Sequence, residues 1–232
     1  MPRPYAHARL APPWHTGCLV ALYLSVAITG FALHAVGTPL VVQSTGPSRI
    51  VSTYLPLLVV EWGILAYVLF VGRPRGTPSR LGALLGHRAT TPGRAFGDVA
   101  LAIGVFALIV IFERLWAGLT AIGTPRSVVA MLPTSAMERL VWVVVAVSVA
   151  FCEEVVFRGY LQSQLSSLTG SVAAGVALQA LFFGIAHGEQ GVASVVRLAI
   201  YGLGLGVLAH CRKSLWPGTL GHAITNLVSG LA

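Results

Sequence analysis

Leu140-Val141-Trp142-Val143-Val144-Val145-Ala146-Val147-Ser148-Val149-Ala150-Phe151 is a long apolar run, and Cys152-Glu153-Glu154-Val155-Val156-Phe157-Arg158-Gly159-Tyr160 follows it directly. This places two adjacent carboxylates and an arginine at the end of a helix-length apolar segment. In a bilayer each charged residue near a helix centre costs about 2.5–3.5 kcal/mol. Ionisable groups kept at that depth mark a functional site. The remaining sequence must then supply the groups that meet them.

The 232 residues are 56% hydrophobic and only 9% charged, with a mean hydropathy of +0.81. A soluble domain carries about 25% charged residues, so the composition is that of an integral membrane protein. The apolar runs are continuous and long, which predicts an all-α, polytopic transmembrane helix bundle rather than a barrel of alternating strands. The net charge of +8 comes almost wholly from arginine, Lys213 being the only lysine. Such a balance fits the positive-inside rule and contact with anionic membrane lipid. No basic patch is interleaved with aromatics, so no nucleic acid is expected as a partner. Cys18, Cys152 and Cys211 are widely spaced and form no CxxC, which predicts reduced thiols packed as small apolar groups.

Runs of spanning length fall at about 17–36, 51–71, 97–117, 138–158, 170–187, 193–210 and 215–231. They predict seven spans, or eight if the stretch 125–135 crosses or re-enters. The first run is long for a signal peptide and reads as a retained helix. Arg3, Arg9, Arg73, Arg75, Arg80, Arg88, Arg94, Arg212 and Lys213 fall on one set of loops, against Arg49, Arg126 and Arg139 on the other. That asymmetry places the N-terminus in the cytoplasm. Gly202 and Gly206 form a GxxxG spacing, read as a tight helix crossing. Glu61, inside the second run, is expected to pair with an arginine of a neighbouring helix, and Glu113-Arg114 to snorkel to the interface. Residues 1–135 read as N-terminal transmembrane helices with a basic cytoplasmic loop, and 136–232 as the helical core that carries the chemistry.

Glu154 and Arg158 are four apart, acid before base, so they share a helix face and can pair. Glu153 is turned about 100° away and left without a local partner. A carboxylate held from water without a counter-charge holds a proton more readily, which suits a general base. The doublet thus divides into one structural and one reactive acid. His187 closes an apolar helix, with Phe183 one turn back and Gln179 one turn further. His222 and Asn226 are again four apart and project from one side of the last helix. The set can hydrolyse an amide: Glu153 and His187 to hold and deprotonate a water, His222 and Asn226 to donate to the developing oxyanion. With a divalent metal such as zinc, the candidate ligands are His187, His222 and Glu153. HExxH and GxSxG are absent, which argues against common zinc proteases and serine nucleophiles.

In order, Glu153-Glu154-Val155-Val156-Phe157-Arg158-Gly159, Phe183-Gly184-Ile185-Ala186-His187 and His222-Ala223-Ile224-Thr225-Asn226 resemble the EExxxR, FxxxH and HxxxN motifs of the CPBP family. These are intramembrane proteases that include the type II CAAX prenyl endopeptidases and the bacteriocin-processing or Abi proteins. The resemblance covers about residues 136–230. It implies an intramembrane endopeptidase, often labelled a metalloprotease, with its active site in an intramembrane cavity and a glutamate-activated water. By motif position Glu153 and His187 activate the water, His222 and Asn226 stabilise the oxyanion, and Glu154, Arg158 and Phe183 support them.

The expected substrate is a membrane-tethered or lipidated peptide. The Arg-rich, Ala-rich composition points to a prokaryotic cell membrane, where a prenylated substrate is less natural than a small secreted peptide. Two rival readings use the same residues: a catalytically silent CPBP-fold protein acting in peptide binding or bacteriocin self-immunity, and a transporter or proton-relay protein. Depth supplies a test. Glu153 and His222 lie at similar depths from one membrane edge, whereas His187 lies some 17 residues into its run. The three meet if the fourth helix continues through Gln162 and Gln164 or if the fifth starts outside the membrane; the helix-compatible stretch 160–168 favours a long fourth helix ending near Ser166 and projecting from the bilayer.

Overall fold

The computed structural model describes residues 10–36, 48–72, 80–87 and 91–231. Arg3, Arg9, Arg73, Arg75, Arg88 and the side chain of Arg80, on which much of the charge asymmetry rests, lie outside the described residues. Every described element is helical: α1 Pro13–Ala35, α2 Ile50–Phe70, α3 Arg80–Leu85, α4 Pro92–Thr120, α5 Arg126–Met131, α6 Ala136–Thr169, α7 Val172–Ile185, α8 Val192–Arg212 and α9 Trp216–Leu231. The first turn of α2, Ile50–Tyr54, is π-helical, as is Glu154–Leu161 within α6, and a short 3₁₀ turn spans Gly188–Gln190.

Among the described residues α1, α2, α4, α6 and α8 are long and apolar enough to cross a membrane. The sequence reading of seven spans is corrected here. The 14-residue α7 rises about 21 Å at 1.5 Å per residue, short of a hydrocarbon core of about 30 Å. The 16-residue α9 is also too short. The stretch 125–135 holds only the six residues of α5, so it is no eighth span.

Local sequence sets the boundaries of the central helix. Ser135 caps α6, its Oγ accepting from the Glu138 N–H at 3.2 Å, which satisfies an orphan donor of the first turn. Gly170 ends it at φ +69°, a conformation open to glycine without a Cβ penalty. Ser171 then caps α7, accepting from Ala174 N at 3.3 Å. Over its spanning window α6 is 56% buried, against 11% for α4. α6 is therefore the axis of the bundle, and α4 lies at the rim against α9.

The expected long fourth helix is observed, ending at Thr169 rather than Ser166. α7 folds back along its second half, so His187 lies about as far beyond the turn as Glu153 lies before it. Gln162 and Gln164 are polar yet buried, because each holds a neighbour's backbone. Gln162 Nε2 donates to Gly206 O at 3.0 Å, and Gln164 Nε2 to Ala11 O at 2.9 Å.

The GxxxG reading of α8 is also met. Gln179 of α7 donates to Gly202 O at 2.8 Å. A Cβ at Gly202 would stand 2.9 Å from Ala180 Cα, too close for the two backbones to stay in place. Gly202→Val should destabilise the chain by about 1–3 kcal/mol, the usual cost of overpacking. Chemical unfolding in detergent checks this.

Two acids differ from their expected roles. Glu113 does not snorkel outward. It pairs with Arg197 of α8 at 3.0 Å and accepts a hydrogen bond from Tyr201, so α8 satisfies it inside the bundle. Arg212, read as a loop charge, pairs with Asp98 of α4. Of the cysteines, Cys152 is buried, while Cys18 and Cys211 are exposed.

Candidate active site

Glu153 is the last α-helical residue of the first half of α6, and Glu154 opens the π-helical run. π-Turns inside α-helices concentrate at functional sites, because the widened turn re-aims side chains. Here both carboxylates reach the same imidazole. His222 Nδ1 lies 3.2 Å from Glu154 Oε1, and His222 Nε2 lies 3.6 Å from Glu153 Oε2. The other oxygen of Glu153 faces His187, with Nε2 to Oε1 at 3.8 Å.

This brings Glu153 to the two histidines expected to meet it, with no partner on α6 itself. Its partners stand on α9 and just beyond α7, so no spacing along α6 could reveal them. It also blurs the division of the doublet, because both acids hold His222.

The tautomers follow from the outer bonds. His187 Nδ1 lies 2.8 Å from Phe183 O. A carbonyl only accepts, so Nδ1 carries the proton, and neutral His187 turns a lone pair at Nε2 toward Glu153. His222 Nδ1 donates to Glu154 in the same way. Its Nε2 is an acceptor in the neutral ring and a donor in the imidazolium.

Arg158 and Glu154 are both buried and form the i,i+4 pair read from the sequence, with Nη1 to Oε1 at 3.0 Å. The alignment falls short of a hydrogen bond, and all three guanidinium nitrogens lack one. The cation is held instead by charge and by the Phe183 ring, 4.0 Å from the guanidinium carbon. Phe183 thus joins the two halves of the site. Its carbonyl orients His187, and its ring packs edge-on to His187 at 5.0 Å and to Phe157 at 5.1 Å.

Asn226 stands one turn beyond His222 on α9. Its Nδ2 lies 3.5 Å from Ala146 O, at the limit of a hydrogen bond, while its own carbonyl accepts from Trp142 Nε1 at 3.0 Å. Trp142 and Ala146 lie one turn apart on α6, which seats the Asn226 segment of α9 against α6. The sequence reading passed over Trp142; its signal was an indole in an apolar run, which buries only with a partner.

These residues open onto a cavity of about 760 Å³. Glu153, His187 and Asn226 line it, with Tyr23 of α1, Glu61 of α2 and Val145 of α6 among the other walls. The structure thus brings His187 and His222 each within 4 Å of the Glu153 carboxylate, and sets Asn226 on the cavity that Glu153 and His187 line. Glu61 also stands in this wall, and no arginine meets it among the described residues. Its expected ion pair is absent because the arginines of the core, Arg158 and Arg197, are committed to Glu154 and Glu113.

Among the described residues no group of three or more His, Cys, Asp or Glu side chains is set to hold a metal ion. The two Nε2 atoms address different oxygens of one carboxylate, an arrangement that fits a small hydrogen-bonding molecule between them.

Residues 135–228 match the family described as type II CAAX prenyl endopeptidase Rce1-like. No curated protein and no solved structure matches the chain.

Proposed function

We propose, from the match of residues 135–228 to the Rce1-like family, that the chain is an intramembrane endopeptidase acting on a membrane-tethered or lipidated peptide. One observation carries this reading: two imidazole Nε2 atoms face opposite oxygens of the Glu153 carboxylate, at 3.8 and 3.6 Å, beside a cavity large enough for a peptide segment.

A water between Glu153 and His187, about 2.8 Å from each, gives one proton's hydrogen bond to the carboxylate and the other to Nε2. Glu153 takes its proton as the water oxygen attacks the amide carbon. Negative charge then moves to the former carbonyl oxygen. Asn226 Nδ2 donates to it, and so does His222 Nε2 in the imidazolium form. Glu153 returns the proton to the amide nitrogen, the C–N bond breaks, and the products are a carboxylic acid and an amine. Glu154 and Arg158 position His222 and carry no proton in this scheme.

A divalent metal would be held by His187, His222 and Glu153 and would supply Lewis-acid polarisation of the water. On the endopeptidase reading the protein works in a prokaryotic cell membrane with its N-terminus on the cytoplasmic side. α7 and α9, of 14 and 16 residues, are each shorter than a full span.

The test is cleavage of a pool of membrane-tethered peptides by the full chain in proteoliposomes. The wild type should cut, and His187→Ala should lower kcat by about 10²–10⁴-fold, the range of a positioned acid–base group. Cleavage should survive chelation. Loss of cleavage on chelation, restored by zinc, would return the three residues to the role of ligands. An inert wild type would leave peptide binding without catalysis.

A further inference from the structure

Glu61 is a carboxylate in the middle of an apolar span, and its surroundings do not account for it. It has neither a hydrogen bond nor an ion pair to any described residue, although the core arginines lie within the same bundle. Val59, Val60, Gly63 and Ile64 flank it on the cavity wall. It stands close enough to Glu153 for the two carboxylates to repel each other. Among the described lining residues the formally charged ones are Glu61, Glu153 and Glu189, with no lysine or arginine. A chain of net charge +8 thus turns a negative face to this cavity.

Of these acids Glu153 is occupied by two imidazoles, and Glu189 accepts from Gln190 Nε2 at 3.2 Å. Glu61 alone is left without a partner. A charge in apolar surroundings is stabilised by a counter-charge brought to it, and here the cavity is the route by which one arrives.

We infer that Glu61 is a specificity residue that receives a positively charged side chain of the substrate, so that the preferred substrate is an apolar segment with a lysine or arginine close to the scissile bond. This rests on the reading of the cavity as a peptide site. With Glu153 and Glu61 on the same cavity, a peptide whose amide reaches Glu153 brings a neighbouring side chain to Glu61. The positive charge also relieves the repulsion between the two acids, so binding favours the cation twice.

The experiment uses the full chain in nanodiscs and fluorescent apolar peptides of roughly twenty residues. Each carries one lysine, moved along the series, and each has a norleucine twin of nearly the same shape. Affinity is measured without reference to cleavage. The wild type should bind one lysine position about tenfold more tightly than its twin. Glu61→Gln should bring that ratio close to one while still binding the norleucine peptide, which shows that the cavity is intact. Glu189→Gln should keep the preference. A wild type indifferent to lysine at every position, or a Glu61→Gln variant that keeps the full preference, overturns the inference. Cleavage of the same peptides is followed in parallel. If none is cut, the protease reading fails, and the affinity ratio still decides the role of Glu61.

Discussion

Glu153→Gln is expected to abolish cleavage, with kcat down about 10³-fold or more and peptide affinity nearly unchanged. The substitution keeps the side chain's size but removes the one group in the cavity that faces both imidazoles. General-base assistance contributes about 10²–10⁴-fold. The same carboxylate also hands the proton to the leaving nitrogen, so both halves of the reaction lose it. Because Phe183 O holds His187 Nδ1 and Glu154 holds His222 Nδ1, both histidines keep their places and the fold survives. The measurement is single-turnover cleavage beside equilibrium binding of the same peptide. Cleavage at near wild-type rate by this variant would remove Glu153 from the chemistry.

Arg158→Met is the second large effect, and it falls on stability. Both members of the Arg158–Glu154 pair are out of solvent, with side-chain exposures of 0% and 1%. Removing one partner of a buried pair leaves an uncompensated charge and costs about 3–5 kcal/mol. Methionine fills much of the volume and can rest on the Phe183 ring, so packing loss is the smaller part. The double variant with Glu154→Gln should recover most of the loss, since the pair then disappears together. Chemical unfolding in detergent separates the two cases. Equal stability of Arg158→Met and wild type would mean that His222 alone balances Glu154. The double variant should still cleave poorly, because His222 loses the carboxylate that orients it.

Much of the fold could be read from the sequence because lipid leaves few alternatives to apolar helices. The long α6 was legible from the mismatch in depth between Glu153 and His187 together with the helix-compatible pattern of 160–168. The Glu154–Arg158 pair was legible because i,i+4 contacts are local. The partners of Glu153, His187 and His222, were legible as residues but not in their geometry. They come from α9 and from the turn after α7, and only packing decides which face of a helix meets which. The π-helical run was invisible for the same reason: no residue type announces it. Glu61 was noticed but given the wrong partner, since the arginines of the core are claimed by Glu154 and Glu113. Helix ends set by Gly170 and Ser171 made α7 shorter than its apolar run, and so two of seven segments fell below spanning length.

The π-helical stretch Glu154–Leu161 acts as a phase shifter between the two halves of α6. Each residue of an α-helix turns the chain by about 100°, and a π-turn absorbs an extra residue without extending that rotation in step. Upstream of the stretch, Glu153 faces the histidines. Downstream, Gln162 faces α8 and Gln164 faces the segment before α1. Both orientations hold at once only while the offset is kept. The helix should therefore tolerate many exchanges of side chain in this stretch but not a change in its length. One residue removed would aim either the carboxylates or the glutamines at the wrong neighbours.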